Sequence, residues 1–155
     1  MGEDRSAILA LDLASVTGWA ESGGLSGVQS FYPRRGDSPG MRWVEFRAWL
    51  NRLLDSLPEV GIIGYEQCHH RGGAATHVAH SLIALVETVA AERGLELTNR
   101  HASSIKKHAV GRGNASKDEM LGAARRKWPD VDIADDNQAD ALWLLNLLMA
   151  ELGLG

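Results

Sequence analysis

Ala7-Ile8-Leu9-Ala10-Leu11-Asp12-Leu13 is a short apolar run broken by one carboxylate. Its length and composition predict a buried strand. A carboxylate near the end of such a strand is costly unless it meets a cation or strong donors. Asp12 therefore marks a place where more than packing is at stake. Thr17-Gly18-Trp19-Ala20-Glu21 alternates after a tight turn, and Gly23-Gly24 then opens a hairpin into a third strand over residues 25–32. Residues 33–40 form a loop punctuated by Gly and Pro. From Ser38 the pattern turns helical: Met41, Val44, Trp49, Leu50, Leu53, Leu54 and Leu57 recur at three- and four-residue steps until Pro58. Ile62-Ile63-Gly64-Tyr65 is a fourth strand that emerges at Glu66. A helix over 74–93 ends at Gly94, and Leu95-Glu96-Leu97-Thr98 is a fifth strand. Helices near 102–109, 116–128 and 136–152 complete the chain.

Strands 1–3, joined by short turns, imply an antiparallel meander. Strands 4 and 5, each reached across a helix, imply parallel additions. The expected class is α/β, a five-stranded mixed sheet flanked by helices. The 155 residues, 45% of them hydrophobic and 23% charged, suit one domain over 1–155 and do not suit a disordered chain. A single cysteine, Cys68, cannot close an internal disulfide, which points to a reducing cytoplasm. No uninterrupted apolar run reaches the length of a membrane span, and the polar start lacks a signal-peptide pattern, so no membrane association is expected.

The formal charge of −4 argues at first against a partner as acidic as DNA. Its distribution says otherwise. Residues 100–128 carry +6, and residues 129–155 carry −6 with no basic side chain. In the acidic part, Asp136 and Asp140 stand four apart, on one face of the last helix. Asp135 reads as its cap, with Gln138 completing a capping-box-like pair. Asp12 and Glu66 lie at the ends of two strands, where functional groups of open α/β sheets collect. Four oxygen donors without a cysteine partner suit Mg²⁺ or Mn²⁺. In the basic part, Ser116 and Glu119 make a capping box after Gly111-Arg112-Gly113, a turn whose backbone N–H groups could hold a phosphate. Lys106, Lys107, Arg112 and Lys117 surround it.

Four motifs in order then resemble one family. They are Leu11-Asp12-Leu13-Ala14 with Thr17-Gly18, then Tyr65-Glu66-Gln67, then the segment from Ile105-Lys106-Lys107 to Ala115-Ser116-Lys117, then Asp136-Asn137-Gln138-Ala139-Asp140. Together they resemble the RuvC family of Holliday junction resolvases, within the RNase H-like superfamily, over nearly the whole chain. The resemblance implies an RNase H-like fold and a homodimer that nicks opposing strands of a four-way junction with divalent metal. Asp12, Glu66 and Asp140 fall on the family's metal-binding acids, and Lys106 and Lys117 on basic positions near the scissile phosphate. Two departures stand out. Asn137 occupies the position three before Asp140, so Asp136 is expected to supply the fourth carboxylate. His69 replaces the aromatic wedge that relatives often carry three residues after the glutamate.

The expected chemistry is two-metal phosphodiester hydrolysis, with two Mg²⁺ (or Mn²⁺) held by Asp12, Glu66, Asp136 and Asp140 and with Lys117 facing the reacting phosphate. Lys106, Lys107, Arg112, Arg125 and Arg126 are expected to grip the DNA backbone, and His69 and Arg71 to touch DNA from the loop after Glu66. The helix 74–93 is apolar over much of its surface, which means deep burial or a dimer interface. His77 and His80 have no acidic partner in sequence and read as surface residues, Trp43 and Trp49 as core anchors, and Arg34 and Arg35 as solvated. Three other readings compete with this one. An actin-like kinase needs a second domain that 155 residues cannot supply. A nuclease of forks, flaps or RNA–DNA hybrids shares the fold. A nuclease-inactive junction-binding protein would follow if the Asn137 shift broke the metal site. The expected location is the cytoplasm of a bacterium or a phage-infected host.

Overall fold

The computed structural model describes residues 5–68 and 72–154. The strands are β1 (Ala7–Asp12), β2 (Val16–Glu21), β3 (Ser26–Ser30), β4 (Val60–Glu66) and β5 (Glu96–Arg100). The helices are α1 (Met41–Ser56), α2 (Ala74–Arg93), α3 (Ala102–Val110), α4 (Lys117–Lys127) and α5 (Asp136–Glu151). The sheet order is β3-β2-β1-β4-β5, with β1–β2 and β2–β3 antiparallel and β1–β4 and β4–β5 parallel. The expected meander with two parallel additions is what forms.

Side chains alternate across a strand, and β1 divides the core accordingly. Leu9 and Leu11 are fully buried under α1 and α2, together with Ile63 and Tyr65 of β4. Ile8 and Ala10 are fully buried on the opposite face, under α3, α4 and α5. On that second face α5 lies close over the sheet: a Cβ on Gly64 would come within 2.4 Å of Leu148 Cδ1. Its stripe Asp140, Leu144, Leu148 follows the four-residue step of a helix face, and Leu144 and Leu148 have almost no exposure.

α1 departs from its sequence pattern. Phe46, absent from the expected apolar series, is fully buried and meets Phe31 edge-on at 5.1 Å. Met41 and Val44 instead face solvent, Val44 at 62% exposure. The four-residue series Phe46, Leu50, Leu54 defines the buried face, and Val44 lies outside it. Trp49 packs against Phe31 and Phe46, as an anchor should. α2 begins and ends where expected, with Gly94 left-handed at φ 69° as its C-cap. Its inner stripe, Val78, Leu82, Val86 and Val89, is buried against the sheet. By length and mean hydropathy (1.3), α2 could also cross a membrane. The sequence reading passes over this because His77, His80, Glu87 and other polar residues interrupt the apolar run.

Gly18 is the tightest contact of the fold. A Cβ there would stand 1.9 Å from the Asn137 carbonyl oxygen, so the start of α5 can approach β2 only over a glycine. Thr17, fully buried, donates its hydroxyl to the Ala14 carbonyl at 2.8 Å and ties the preceding turn. Gly18→Ala should therefore cost about 2–4 kcal/mol, because α5 must move away. Gly122→Ala, mid-helix with only the flexible Arg126 tip within 4 Å, should stabilise by about 0.5–1 kcal/mol. Urea titrations of both variants check the contrast, and equal midpoints would refute it.

Candidate active site

Leu11 pairs with Tyr65 across the parallel β1–β4 ladder, so Asp12 and Glu66 stand level at the ends of neighbouring strands. Parallel neighbours lie about 4.8 Å apart. Parity sends both side chains the same way. Asp12 follows Ile8 and Ala10 onto the α5 face, and Glu66 follows Ile62 and Gly64. The loop beyond Glu66 is held by Gln67, whose N–H donates to the Arg100 carbonyl and whose side-chain amide donates to Asn99 Oδ1 at 2.7 Å.

The start of α5 supplies the other two acids. Asp135 is its N-cap and accepts the Gln138 N–H at 3.0 Å. Gln138 reciprocates by accepting the Ala134 N–H, one residue earlier than a standard capping box, and donates to Ser26 Oγ. Asn137 donates its side-chain amide to Asp135 Oδ2 at 3.2 Å. Its side chain thus belongs to the cap. Asp136 and Asp140 share the remaining face, and Gly18, which pairs with Asp12 in the β1–β2 ladder, brings that face to the strand end.

The electrostatics follow from this placement. Burial pushes the Asp12 carboxyl well above its usual range, and Asp140, Glu66, Asp136 and Asp135 push it in the same direction. Asp140 is raised to about 7, first by burial and then by Glu66 and Asp136, while Lys106 and Lys117 draw it down. Lys117 Nζ lies 3.9 Å from Asp136 Oδ2, on a largely exposed side chain. Such a contact contributes little stability, but it places a mobile cation beside the acids.

Two clefts open on the site. One, of about 280 Å³, runs past Asp12, Glu66 and Cys68 to Ala75 and Ala79 of α2. The other, of about 320 Å³, is bounded by Ser15, Tyr32, Lys117, Asp136 and Asn137. Ser15 and Tyr32 escaped the sequence reading. Nothing in their local pattern signals that α2, the β1–β2 turn and α5 meet at one cleft.

The basic segment is only partly gathered here. Lys106 reaches the site electrostatically, and Lys107 is exposed on α3. Arg112 pairs with Glu119. The Ser116 hydroxyl caps α4 by accepting the Glu119 N–H at 3.1 Å. Arg125 donates to the Ile133 carbonyl at 3.1 Å and so holds the loop before α5. Arg125 and Arg126 lie about 12 Å along α4 from Lys117. His77 and His80 are exposed, His77 edge-on to Trp43 at 5.9 Å. His69 and Arg71 lie outside the described residues.

The donor set fits a hard divalent cation. The converging groups are carboxylates, hard oxygen donors, and their mutual repulsion at Asp12 is of the kind a cation relieves. Among the described residues, no three such side chains already stand at ligating distance.

No protein-family model matches the sequence, and no curated protein matches it. Solved structures do. The chain superposes on RuvC of Thermus thermophilus with a TM-score of 0.74 and 16% identity, over 96% of this chain and 97% of that one. T. thermophilus RuvC in complex with a Holliday junction substrate matches with a TM-score of 0.73 and 15% identity, over 96% of both chains. The yeast mitochondrial Holliday junction resolvase Ydc2 matches with a TM-score of 0.61 and 13% identity, over 95% of this chain and 80% of that one. At these identities the likeness establishes the fold, which is the RuvC-type RNase H-like fold.

Proposed function

We propose that this chain is a divalent-metal-dependent endodeoxyribonuclease that resolves four-way DNA junctions by paired nicks. The observation that carries the reading is the meeting of Asp12, Glu66, Asp136 and Asp140 at one sheet end, with Lys106 and Lys117 beside them. It is joined to a fold shared with one protein solved on a Holliday junction substrate and another named as a Holliday junction resolvase.

In this reading Asp12, Glu66, Asp136 and Asp140 hold two Mg²⁺, for which Mn²⁺ can substitute. Bound there, the cations would supply a water of lowered pKa and neutralise charge on the leaving oxygen. The protein's own part is positional. The two strand ends fix Asp12 and Glu66, while the capped start of α5 fixes Asp136 and Asp140. Lys117 faces the phosphate as charge grows on its oxygens. Lys106, Lys107, Arg112, Arg125 and Arg126 grip the flanking backbone, joined by His69 and Arg71 from the loop after Glu66.

The nuclease-inactive alternative rested on Asn137. Its amide is committed to Asp135, and Asp136 carries the electrostatic coupling to Asp12 and Asp140. That arrangement favours the active reading. Paired nicks need two sites related by a two-fold axis, and the outer face of α2, with Ala84 and Ala91 exposed, is the proposed homodimer contact. Residues 1–155 act as a single nuclease domain in this proposal, and its setting is the cytoplasm.

Asp12→Asn should bind a mobile four-way junction as tightly as wild type and cut it at least about 100-fold more slowly in Mg²⁺. Forks, flaps and RNA–DNA hybrids assayed in parallel establish the substrate class. Undiminished cutting by the variant would sink the metal assignment. Lys117→Ala should lower kcat about 10- to 100-fold with little change in KM, since its interaction grows with transition-state charge.

Without metal, the folded protein keeps the Asp140 proton up to about pH 7, whereas an ordinary aspartate releases it near 3.8. Between those values the folded state binds more protons, so this contribution to stability is present at low pH and lost as pH rises through 7. Asp140→Asn should therefore raise metal-free stability by about 1–3 kcal/mol at pH 8 and by little at pH 4. The same variant should lose most of the thermal stabilisation that Mg²⁺ confers on wild type. Melting curves with EDTA and with Mg²⁺ at both pH values decide it. An Asp140→Asn midpoint equal to wild type in EDTA at pH 8 would refute the repulsion.

A further inference from the structure

A second basic surface lies on the opposite flank of the site from Lys106 and Lys107, and the proposed function does not use it. Residues 32–52 contain five arginines and two acids. Both acids, Asp37 and Glu45, pair with Arg34, and Arg47 pairs with Glu92. Among the described residues, Arg35, Arg42 and Arg52 are left with no carboxylate within ion-pair distance.

Arg42 is held at the site itself. Its guanidinium donates to Ser15 Oγ at 2.8 Å and lies 4.9 Å from the Trp43 ring centroid. Its Nε is buried without an acceptor. Ser15 lines the same cleft as Lys117 and Asp136. A half-buried arginine, stacked and unpaired with acid, suits a phosphate.

Tyr32 links this corner to a larger groove. It is 62% exposed and borders the cleft that holds Asp136 and Lys117. It also borders a groove of about 500 Å³ between the end of β3 and α1, lined further by Val44, Trp49, Arg52 and the Arg34–Glu45 ion pair. Val44 is the residue that α1 turns outward at 62% exposure. An exposed aromatic ring and an aliphatic neighbour, flanked by arginines and continuous with the acidic site, match a nucleotide: a base face against the ring and phosphates against the cations.

We propose that this groove takes the DNA strand on one side of the scissile phosphate, with Tyr32 stacking on a base, Arg52 holding a phosphate in the groove and Arg42 holding one where the groove meets the Ser15 cleft. The proposal rests on the nuclease reading and adds a strand track and a base platform to it. A peptide partner would need neither the net positive charge nor the continuity with the acids.

The test uses the full-length protein and a four-way junction carrying 2-aminopurine beside the mapped nick. Wild type should quench or shift the probe on binding. Tyr32→Ala should abolish that signal and weaken binding roughly tenfold, and Tyr32→Phe should preserve both. Arg52→Ala should lower the slope of log affinity against log salt by about one. Circular dichroism and melting curves verify that the variants fold, as the exposure of Tyr32 leads one to expect. If wild type neither binds nor cuts the junction, the nuclease reading itself falls. If wild type binds and cuts while Tyr32→Ala and Arg52→Ala match it in affinity, salt slope and probe signal, the strand track is overturned and the nuclease reading stands.

Discussion

Like charge at one end of the sheet is the constraint on which the molecule turns. Asp12 ends a strand whose other side chains are buried, and four further acids push its carboxyl toward protonation. Packing gains nothing from this. A core built for stability alone would place an apolar residue at Asp12 and let α5 begin elsewhere. The arrangement persists because the surrounding elements hold it: the β1–β4 register, the cap at Asp135 and the absence of a side chain at Gly18. Strain of this kind concentrates at sites with a task.

Those supports act on different residues but converge geometrically. Strand parity decides which face Asp12 and Glu66 point to. Burial of Leu144 and Leu148 decides how α5 lies on that face. The helix period then decides that Asp140, one turn before Leu144, meets the strand ends. Gln138 ties the start of the same helix to Ser26 of β3, so the meander and the helix cannot shift independently. Three weak local rules therefore produce one strong placement.

Most of this was legible from residues alone because it depends on short-range periodicity. The apolar run with Asp12, the four-step spacing of Asp136 and Asp140, and the bounds of α2 follow from patterns within single elements. Phe46 was missed because Met41 and Val44 also satisfy a helical period, and only the position of Phe31 and the sheet selects between the two faces. The hydrogen bond from Arg125 to the Ile133 carbonyl was not legible, because it crosses a turn that sequence spacing does not encode. Tyr32 and Arg42 were read past for the same reason. Each lies in or beside a polar loop, and what matters about them is the neighbour that folding supplies, Ser15 for one and the Asp136 cleft for the other.

The net charge of −4 illustrates why totals mislead. The protein's acids are unevenly placed along the chain. Six of them fall in residues 129–155, and three of those, Asp135, Asp136 and Asp140, act on Asp12 at the sheet end. On one flank of that acidic point stand Lys106 and Lys107; on the other stand Arg42 and Arg52. A polyanion approaching along either flank meets positive charge before it meets the carboxylates, and at a separation of about 10 Å salt already screens much of the repulsion. Two divalent cations bound among the acids would add +4 and cancel the formal total. Under the nuclease reading, the acidity that first argued against DNA becomes the means of holding the ions that cut it, and the two basic flanks bring the strand to them.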